Sequence, residues 1–559
     1  MRQEAVATNG VIGRRADSLA ALGGEPFDLL VIGGGINGAG IARDAAMRGL
    51  RTALVERGDF ACGTSSRSSK LIHGGLRYLE QGHVRLVLEA VRERERLRAL
   101  APHLVRPQEF IAPVYRDGPV GFFKLAAGLM LYDVLAGLWS VRRHNMLGRR
   151  RLIEAEPALR RNGLVGGGRY WDYRTDDARL VLETALAAAR EGAVVVSYAE
   201  VEGFLDEGGR IAGARVVDRV SGARVKIHAR VVINAAGPWV DEVAALDTPG
   251  PPRLRLTKGV HVIVPRNRVG NRAALVLRAV RDGRVMFVIP WGEHALVGTT
   301  DTDHTGGPEQ EPIVEPDDIA YLLETVNHYF PEARLGVGDV VSAFAGLRPL
   351  IAPPPGTEAD PSDVSREEEI FESPRGLVTI AGGKLTAFRL IAEQVVDRAI
   401  AALRRQGDTR RFARSKTAVV PLPGGGSEPE LLAAAAVSHD GHGLAPAVIT
   451  HLADRYGSRL DEVMGFVVRD AKLARPIVDG LPDPRAEVAQ AVEHEWGLTL
   501  EDVLRRRTQV ALLDGTGGGD VAADVASIMA SRLGWSREAA EEAVRRYLAE
   551  TAGARARWR

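Results

Sequence analysis

The sequence predicts an α/β fold: a parallel sheet with an inserted antiparallel meander, followed by an all-α C-terminal domain. Three observations predict it. The apolar run Phe27–Ile32 ends in three glycines and leads into a helical pattern, as in a βαβ unit. Glycine-containing turns between residues 201 and 233 indicate hairpins. Beyond residue 427 the chain is alanine-rich and helical in period.

The first βαβ unit is predicted element by element. Residues 27–32 form a buried strand, 36–50 a helix with a face of small residues, and 52–55 a second strand that ends at Glu56. Later strands are expected at 194–198, 231–235, 286–289, 295–298 and 377–380. Residues 421–427, rich in proline and glycine, have the composition of a linker.

Three other segments have local signals. Residues 1–26 lack the apolar core of a secretory signal and are predicted to be a loose tail. The run at 92–96 alternates arginine and glutamate, which predicts a solvated helix face. Residues 122–139 are apolar apart from Lys124 and Asp133; we predict a buried helix, with membrane contact as the alternative because arginines follow at 142, 143 and 149–151.

Composition excludes several classes of protein. The 559 residues include 73 lysines and arginines against 72 aspartates and glutamates, a net charge of +1, so nucleic acid is not an expected partner. The single cysteine, Cys62, excludes an internal disulfide and a cysteine-based metal centre, and no metal site is predicted. A reducing compartment, hence the cytoplasm, is the expected location.

The glycine turn is a dinucleotide fingerprint. Gly33-x-Gly35-x-x-Gly38 follows a strand and opens a helix whose N-terminus can face a pyrophosphate. Glu56 follows the second strand, where a carboxylate can accept hydrogen bonds from ribose hydroxyls. The fingerprint lies near the start of a long chain, and strand-and-glycine-turn segments return at 232–237 and 381–386, which favours FAD over NAD.

Four stretches resemble the FAD-dependent, quinone-linked respiratory glycerol-3-phosphate dehydrogenases: 32–42, 63–79, 298–301 and 382–386. The resemblance implies oxidation of glycerol 3-phosphate at carbon 2 to dihydroxyacetone phosphate, hydride transfer to the flavin N5 atom, and reoxidation by a membrane quinone. It also implies an FAD-binding Rossmann-like domain with an antiparallel-sheet substrate domain and a helical C-terminal cap.

The resemblance and the fingerprint together assign site residues. The resemblance implies that Arg77, Tyr78, Arg348, Lys258 and Lys384 bind substrate, and the guanidinium forks of Arg77 and Arg348 suit a phosphate dianion. The carbinol proton needs a base: His261 and His73 remain alternatives, and Lys384 would need a lowered pKa. The residues expected to hold FAD are Gly33, Gly35, Ile36, Asn37, Gly38, Glu56, Thr64, Ser65, Ser69, Leu71, His73, Val201, Ala236, Gly237, Gly383, Lys384, Leu385 and Thr386.

The expected domains are the tail at 1–26, an FAD domain at 27–110, 180–245 and 370–410, a substrate domain at 111–179 and 246–369, and the helical cap at 425–559. Peripheral contact with the inner face of the cell membrane is expected, and a homodimer is left open. Alternative functions are an oxygen-using glycerol-3-phosphate oxidase, an amine or amino-acid oxidase, and a flavin-binding protein without activity.

Overall fold

The computed structural model describes residues 11–76, 79, 83–136, 143–352, 368–438 and 443–559. The strands are β1 (Phe27–Ile32), β2 (Thr52–Val55), β3 (Leu71–Ile72), β4 (Arg106–Tyr115), β5 (Asn145–Gly148), β6 (Leu164–Arg174), β7 (Val194–Val196), β8 (Ala199–Glu207), β9 (Arg210–Asp218), β10 (Arg224–Asn234), β11 (Leu254–Pro265), β12 (Ala274–Arg278), β13 (Val285–Trp291), β14 (His294–Gly298), β15 (Thr302–Asp303), β16 (Ser342–Ile351), β17 (Glu368–Glu372) and β18 (Leu377–Gly382).

The α-helices are α1 (Val11–Leu22), α2 (Ile36–Met47), α3 (Val84–Leu100), α4 (Phe122–Ala136), α5 (Arg149–Ala155), α6 (Asp177–Arg190), α7 (Val240–Ala245), α8 (Arg266–Val269), α9 (Pro316–Tyr329), α10 (Phe388–Arg405), α11 (Pro429–Ser438), α12 (Pro446–Tyr456), α13 (Leu460–Arg469), α14 (Ala486–His494), α15 (Val510–Leu513), α16 (Ala522–Leu533) and α17 (Arg537–Ala556).

The first sheet has the order β17-β18-β10-β1-β2-β7 and is parallel except at β17. Every residue of β1 is buried, as expected for a strand covered on both faces. Helices α2, α6 and α10 share a core with one face. The predicted meander, β8 and β9 running into β10, contributes to the core on the other face. The predicted parallel sheet with its antiparallel insertion is therefore confirmed.

The second sheet is mainly antiparallel, with the order β15-β11-β14-β13-β12-β4-β6-β3, and β16 pairs with β11 over its whole length. Helix α9 packs on one face. Helices α3 and α4 contribute to the core on the other face. This sheet stands beside the first one, and the segments that connect the two sheets line the cavities described below.

The C-terminal region is helical, as predicted. The segment with a linker's composition is packed against the first domain: Leu422 is buried, its N–H donates to the carbonyl of Leu100 at 2.9 Å, and Arg43 donates to the carbonyl of Val420 at 2.6 Å. This proline- and glycine-rich segment is therefore packed on the surface of the first domain.

The prediction of a loose tail at 1–26 is wrong for α1. Leu19 and Leu22 pack on the core beneath the meander. Arg15 donates to the Ser197 carbonyl at 2.6 Å and to Asp218 at 2.5 Å. The helix is stable because these partners, contributed by distant strands, bury its inner side.

The prediction of a solvated face at 92–96 is also wrong for two of its residues. Glu93 and Arg94 are buried. Arg389 donates to both oxygens of Glu93 at 2.6 and 2.8 Å, and Arg94 donates to Asp172 at 2.5 Å. Buried charges need such partners, and alternation alone did not reveal them.

The domain bounds differ from prediction at several elements. Strands β3 and β4 both pair with β6 in the second sheet, although the whole of 27–110 was expected in the FAD domain. Helix α6 begins at Asp177 and packs on the first sheet, and β17 pairs there from Glu368. The turns that separate the two sheets therefore lie a few residues from the predicted positions, and β3 is a short excursion of the chain.

Candidate active site

The glycine turn after β1 has the close backbone packing that the fingerprint predicts. Gly33 has a φ of +108°, in the left-handed region, and a Cβ there would lie 2.6 Å from the Ala235 carbonyl oxygen. A Cβ on Gly38 would lie 1.8 Å from the Gly33 carbonyl oxygen. These positions admit no side chain, so α2 starts against the strand with its N-terminal N–H groups at the carboxyl edge of the sheet.

Glu56 closes the same edge from β2. Its Oε2 accepts from the N–H of Gly34 at 2.6 Å and its Oε1 accepts from the N–H of Gly58 at 2.8 Å. Burial raises the pKa of Glu56, opposed by these two backbone donors. The carboxylate is thus fixed in orientation, and each oxygen retains capacity to accept a ribose hydroxyl.

A first cavity of about 410 Å³ lies along this edge. The predicted FAD residues that line it are Gly33, Gly35, Ile36, Asn37, Glu56, Thr64, Ser65, Val201, Ala236, Gly237, Gly383, Lys384 and Leu385. Gly38 lies behind the turn, where its role is packing. The structure thus brings together residues from six separate segments of the chain.

The segment after β18 closes one end of this cavity. Asn37 donates from Nδ2 to the Gly382 carbonyl at 3.4 Å, which ties the start of α2 to the turn. The Nζ of Lys384 is buried. Thr386 does not line the cavity; its hydroxyl contacts the N–H and the carbonyl of His73, both at 3.2 Å. Thr386 therefore holds the backbone at His73 in place.

A second cavity has a volume of about 770 Å³. Neighbouring residues line the two cavities: Ser68 and Pro349 the first, Ser69 and Arg348 the second. Ser69, Leu71 and His73, predicted to surround the flavin ring, line the second cavity. Five cationic side chains also line it: Lys124, Arg160, Arg278, Arg284 and Arg348. Three aspartates, Asp117, Asp172 and Asp301, line it as well, so cationic side chains outnumber anionic ones and the cavity favours a bound anion.

Arg348 is oriented by a short motif at the end of β14. It donates to Asp301 at 2.9 Å, to the Thr299 hydroxyl at 2.9 Å and to the Thr300 carbonyl at 3.1 Å. Arg284 donates to the Asp301 carbonyl oxygen as well. Thr299 and Asp301 line the second cavity, and our assignment from the sequence omitted both. Their motif, 298–301, was visible in the sequence, but a threonine or aspartate in it gives no local sign of contacting Arg348.

His261 lies behind the cavity wall. Its Nε2 is 2.9 Å from the Ser69 hydroxyl, and its ring stacks on Phe344 with centroids 5.0 Å apart. Burial, with Arg348 and Lys70 nearby, lowers the pKa of His261 to about 3. The imidazole is therefore neutral near pH 7, and Ser69 stands between it and the cavity.

Lys258 was predicted to bind substrate, and the structure places it elsewhere. Its Nζ donates to Glu315 and Asp318, both at 2.8 Å, and to the Ile313 carbonyl at 3.1 Å. It lines neither cavity. An acidic capping arrangement at the start of α9 engages it, so we assign it a structural role. Arg77 and Tyr78 lie outside the described residues.

The first cavity fits FAD by its donors and its shape. The glycines allow the backbone to approach a pyrophosphate, Glu56 lies where a ribose is expected, and Ser65 and Lys384 line the same cavity.

Comparisons with known proteins agree with this geometry. A family model described as FAD dependent oxidoreductase matches residues 28–398, and one described as the C-terminal domain of alpha-glycerophosphate oxidase matches residues 415–540. Glycerol-3-phosphate dehydrogenase 2 of Mycobacterium tuberculosis is 42% identical over 543 residues, 96% of this chain and 90% of the relative.

The chain belongs to the family of FAD-dependent glycerol-3-phosphate dehydrogenases.

Other members of this family support the same assignment. The aerobic glycerol-3-phosphate dehydrogenase of Bacillus subtilis is 38% identical over 92% of this chain and 93% of its own. The crystal structure of the glycerol-3-phosphate dehydrogenase from Bacillus halodurans, complexed with FAD, has a TM-score of 0.79 at 33% identity and covers 96% of this chain and 97% of its own. Like its relatives in this family, the protein is an FAD-dependent enzyme, which confirms the predicted cofactor and fold class.

A more distant likeness concerns the fold alone. L-alpha-glycerophosphate oxidase from Mycoplasma pneumoniae, with FAD bound, has a TM-score of 0.55 at 18% identity; the match covers 72% of this chain and all of the oxidase. The fold that the two proteins share therefore accounts for only part of this chain.

Proposed function

We propose that the enzyme oxidises sn-glycerol 3-phosphate to dihydroxyacetone phosphate, and that a membrane quinone takes the electrons. The observation that supports this most strongly is a second cavity lined by five cationic side chains, two of whose lining residues, Ser69 and Arg348, are sequence neighbours of residues that line the dinucleotide cavity. A phosphate dianion is attracted to such a lining. The names of relatives that are about 40% identical over nearly the whole chain point to the same substrate.

Arg348 is the proposed phosphate ligand among the described residues. Asp301 and the Thr299 hydroxyl fix the plane of its guanidinium. A guanidinium has five N–H donors, so a phosphate oxygen can share it with these partners. Arg77 and Tyr78 remain proposed members of the substrate pocket.

FAD, when bound, accepts the hydride that leaves carbon 2. A side chain of the protein must then remove the proton of the carbinol hydroxyl while the C–H bond at carbon 2 breaks. We propose His73 as the base, since it lines the second cavity itself. His261 accepts or donates through Ser69 and orients that hydroxyl toward the carbinol. Lys384, which lines the first cavity and has a buried Nζ, is suited to stabilise negative charge on the carbinol oxygen.

Delivery of electrons to a membrane quinone is supported by helix α4. Its residues Lys124, Leu125, Gly128 and Leu131 line the second cavity. An adjacent side of α4 exposes Phe123, Met130 and Val134, and Arg143, Arg149 and Arg150, which follow the helix in the sequence, are exposed. Among the described residues, none of the helices combines the length and apolar character needed to cross a bilayer. We propose peripheral contact of this face with the anionic inner surface of the cell membrane.

The function is tested by adding glycerol 3-phosphate to the FAD-loaded protein without oxygen and following the flavin absorbance. Bleaching within the turnover time is the expected result; no bleaching with glycerol 3-phosphate would contradict the proposal. Amino acids serve as the comparison substrates, and bleaching by one of them would favour an amine or amino-acid oxidase. Admission of air, with an assay for peroxide, then separates a dehydrogenase from an oxygen-using glycerol-3-phosphate oxidase.

A further inference from the structure

The loop at residues 56–62 connects the cofactor cavity to the helical C-terminal region. Glu56, Arg57, Ala61 and Cys62 of this loop line the first cavity. Asp59 points the other way and is buried. The loop thus has one side toward the ribose position and one acidic side chain on the opposite side.

Two consecutive arginines of the C-terminal region bind Asp59. Arg507 donates to its two carboxylate oxygens at 2.5 and 2.7 Å, and Arg506 donates to Oδ2 at 2.5 Å. These contacts join residues 448 and 447 positions apart in the sequence. Burial opposes ionisation of Asp59, but the two guanidinium groups outweigh it and hold the pKa of Asp59 below its ordinary value. Asp59 is therefore a carboxylate that cannot leave its partners without losing a buried fork of charged hydrogen bonds.

The arginines are themselves fixed. A π-helical turn, Asp502–Arg507, contains both. Arg507 donates to the Glu495 carbonyl at 3.0 and 2.7 Å, and Arg506 donates to Asp502 at 2.8 Å. Thr499 and Asp502 form a capping arrangement at the start of this turn, with the Thr499 N–H donating to Asp502 at 2.9 Å. These hydrogen bonds hold the guanidinium groups of Arg506 and Arg507 in place.

Two further contacts brace the same loop. Tyr198 donates from its hydroxyl to Asp502 at 2.8 Å and from its N–H to the Gly58 carbonyl at 2.8 Å. The rings of Phe60 and Trp496 meet edge to face with centroids 5.2 Å apart. On the cavity side, the Ala61 N–H donates to the Gly34 carbonyl at 3.1 Å, which joins the loop to the glycine fingerprint.

We propose that Arg506 and Arg507 are positioning residues for FAD. Through Asp59 they hold the 56–62 loop in the conformation in which Glu56 faces the ribose, so the ordering cost of the loop is met when the chain folds and not when the cofactor binds. The C-terminal domain thereby contributes to cofactor affinity without touching the cofactor. This role goes beyond the proposed reaction, because it concerns FAD retention and not the substrate.

The test compares two conservative variants of buried arginines. Arg507→Lys keeps the charge but loses the fork to Asp59. Arg455→Lys is the matched control: Arg455 is buried and donates to Asp483 at 2.5 Å and Glu487 at 2.8 Å, all within the C-terminal region and away from both cavities. FAD is titrated into each apoprotein and its fluorescence quenching is followed, with no substrate present.

We expect Arg507→Lys to raise the Kd for FAD about tenfold, the equivalent of one lost charged hydrogen bond. We expect the two variants to lower the melting temperature to a similar extent. Arg455→Lys should nevertheless leave the Kd for FAD within about twofold of the parent's value. Two results would overturn the proposal. An unchanged Kd for FAD in Arg507→Lys would show that Arg507 does not affect cofactor binding. An equal increase of the Kd in both variants would show that the effect is general destabilisation.

If Arg507→Lys does not fold, Arg506→Lys retains the Arg507 fork and provides the measurement. We expect a Kd raised about threefold and faster hydrogen exchange of the 56–62 amides in the apoprotein. Unchanged affinity together with unchanged exchange in this variant would also overturn the proposal. Because no glycerol 3-phosphate is present, a failure here is distinct from a failure of the proposed reaction.

Discussion

His73 and His261 have different surroundings, and these predict different kinetic effects. His73 lines the second cavity, whereas His261 is buried behind Ser69 with its pKa lowered to about 3 by burial and by Arg348 and Lys70. We expect His73→Asn to slow flavin reduction by about 10²-fold or more, the usual worth of a general base, with a smaller change in substrate affinity. The rate of flavin reduction by glycerol 3-phosphate, followed by stopped flow from pH 6 to 9, checks this prediction and the one for His261→Asn below.

His261→Asn is the companion variant. It removes the partner of the Ser69 hydroxyl but not a group that faces the cavity, so we expect a loss of about tenfold and an unchanged pH profile. A larger loss in His261→Asn than in His73→Asn would assign the base to His261 instead.

Gly38 has a purely steric role that a single methyl group tests. A Cβ at Gly38 would lie 1.8 Å from the Gly33 carbonyl oxygen, and backbone atoms cannot rotate away. We expect Gly38→Ala to cost about 3 kcal/mol of unfolding free energy and to abolish FAD binding, as the fingerprint turn shifts. The control is Gly465→Ala in α13, where a Cβ meets nothing within 4 Å and a gain of up to about 1 kcal/mol is expected. Thermal unfolding and FAD content report both; normal FAD content in Gly38→Ala would refute the steric argument.

At the scale of elements, the predictable parts are those whose signals are local. Strand β1, its glycine turn and α2 follow one another in the sequence, and each has its own pattern, so their positions and the cavity residues Gly33 and Glu56 could be predicted. Helix α1 could not, because the partners of Arg15 lie about 200 residues away. The burial of Glu93 depends in the same way on Arg389, 296 residues later.

Site residues divide along the same line. Arg348 was found from its motif, but Asp301 and Thr299 gain their role only where β14 and β16 flank β11 and bring them to Arg348. Lys258 matched a family pattern, yet it reaches Glu315 and Asp318 because β11 places it over the start of α9. A motif gives residue type and order, whereas pairing of distant strands decides which side chains meet.

Helix α4 exposes apolar side chains on one side in addition to those that it buries on another. Leu129 and Tyr132 are buried, as the sequence predicted, but Phe123, Val134 and Met130 are 88%, 69% and 62% exposed. Insertion of such side chains into the headgroup region is worth about 2 kcal/mol each when complete. The variant with all three changed to Ser should therefore bind vesicles containing anionic lipid at least about tenfold more weakly in a sedimentation assay.

A matched control changes apolar residues of similar exposure elsewhere. Val419, Leu431 and Val468 are 75%, 70% and 61% exposed, and their replacement by Ser should leave vesicle binding unchanged. FAD content and reduction by glycerol 3-phosphate should be normal in both triple variants. Equal binding of the α4 variant and the parent would exclude α4 as the membrane contact.

On the scale of the whole molecule, buried ion pairs join the C-terminal helices to the first domain. Arg179 of α6 donates to Glu495 at 2.7 Å, and Arg459 donates to Glu183 of α6 at 2.7 Å. Burial raises the pKa of Glu183 to about 7, opposed by Arg459 and Arg179. Breaking one member of such a pair leaves a buried charge unpaired, which is costly. The C-terminal region is therefore coupled to the cofactor domain and cannot separate from it without loss of stability.

His103 lies beside this interface, and its titration predicts how stability depends on pH. Burial, with Arg179, Arg459 and Arg106 nearby, lowers the pKa of His103 to about 3. The unfolded chain binds a proton near pH 6.5, so between pH 6.5 and 3 it holds one more proton at His103 than the folded chain does. This stability is complete above pH 6.5 and falls as pH decreases, by about 1.4 kcal/mol per pH unit. In His103→Asn we expect that contribution to the slope to vanish, as measured by denaturant unfolding from pH 8 to pH 5. The difference at pH 8 gives the effect of the substitution itself, and parallel curves for variant and parent would show that His103 is not held neutral in the fold.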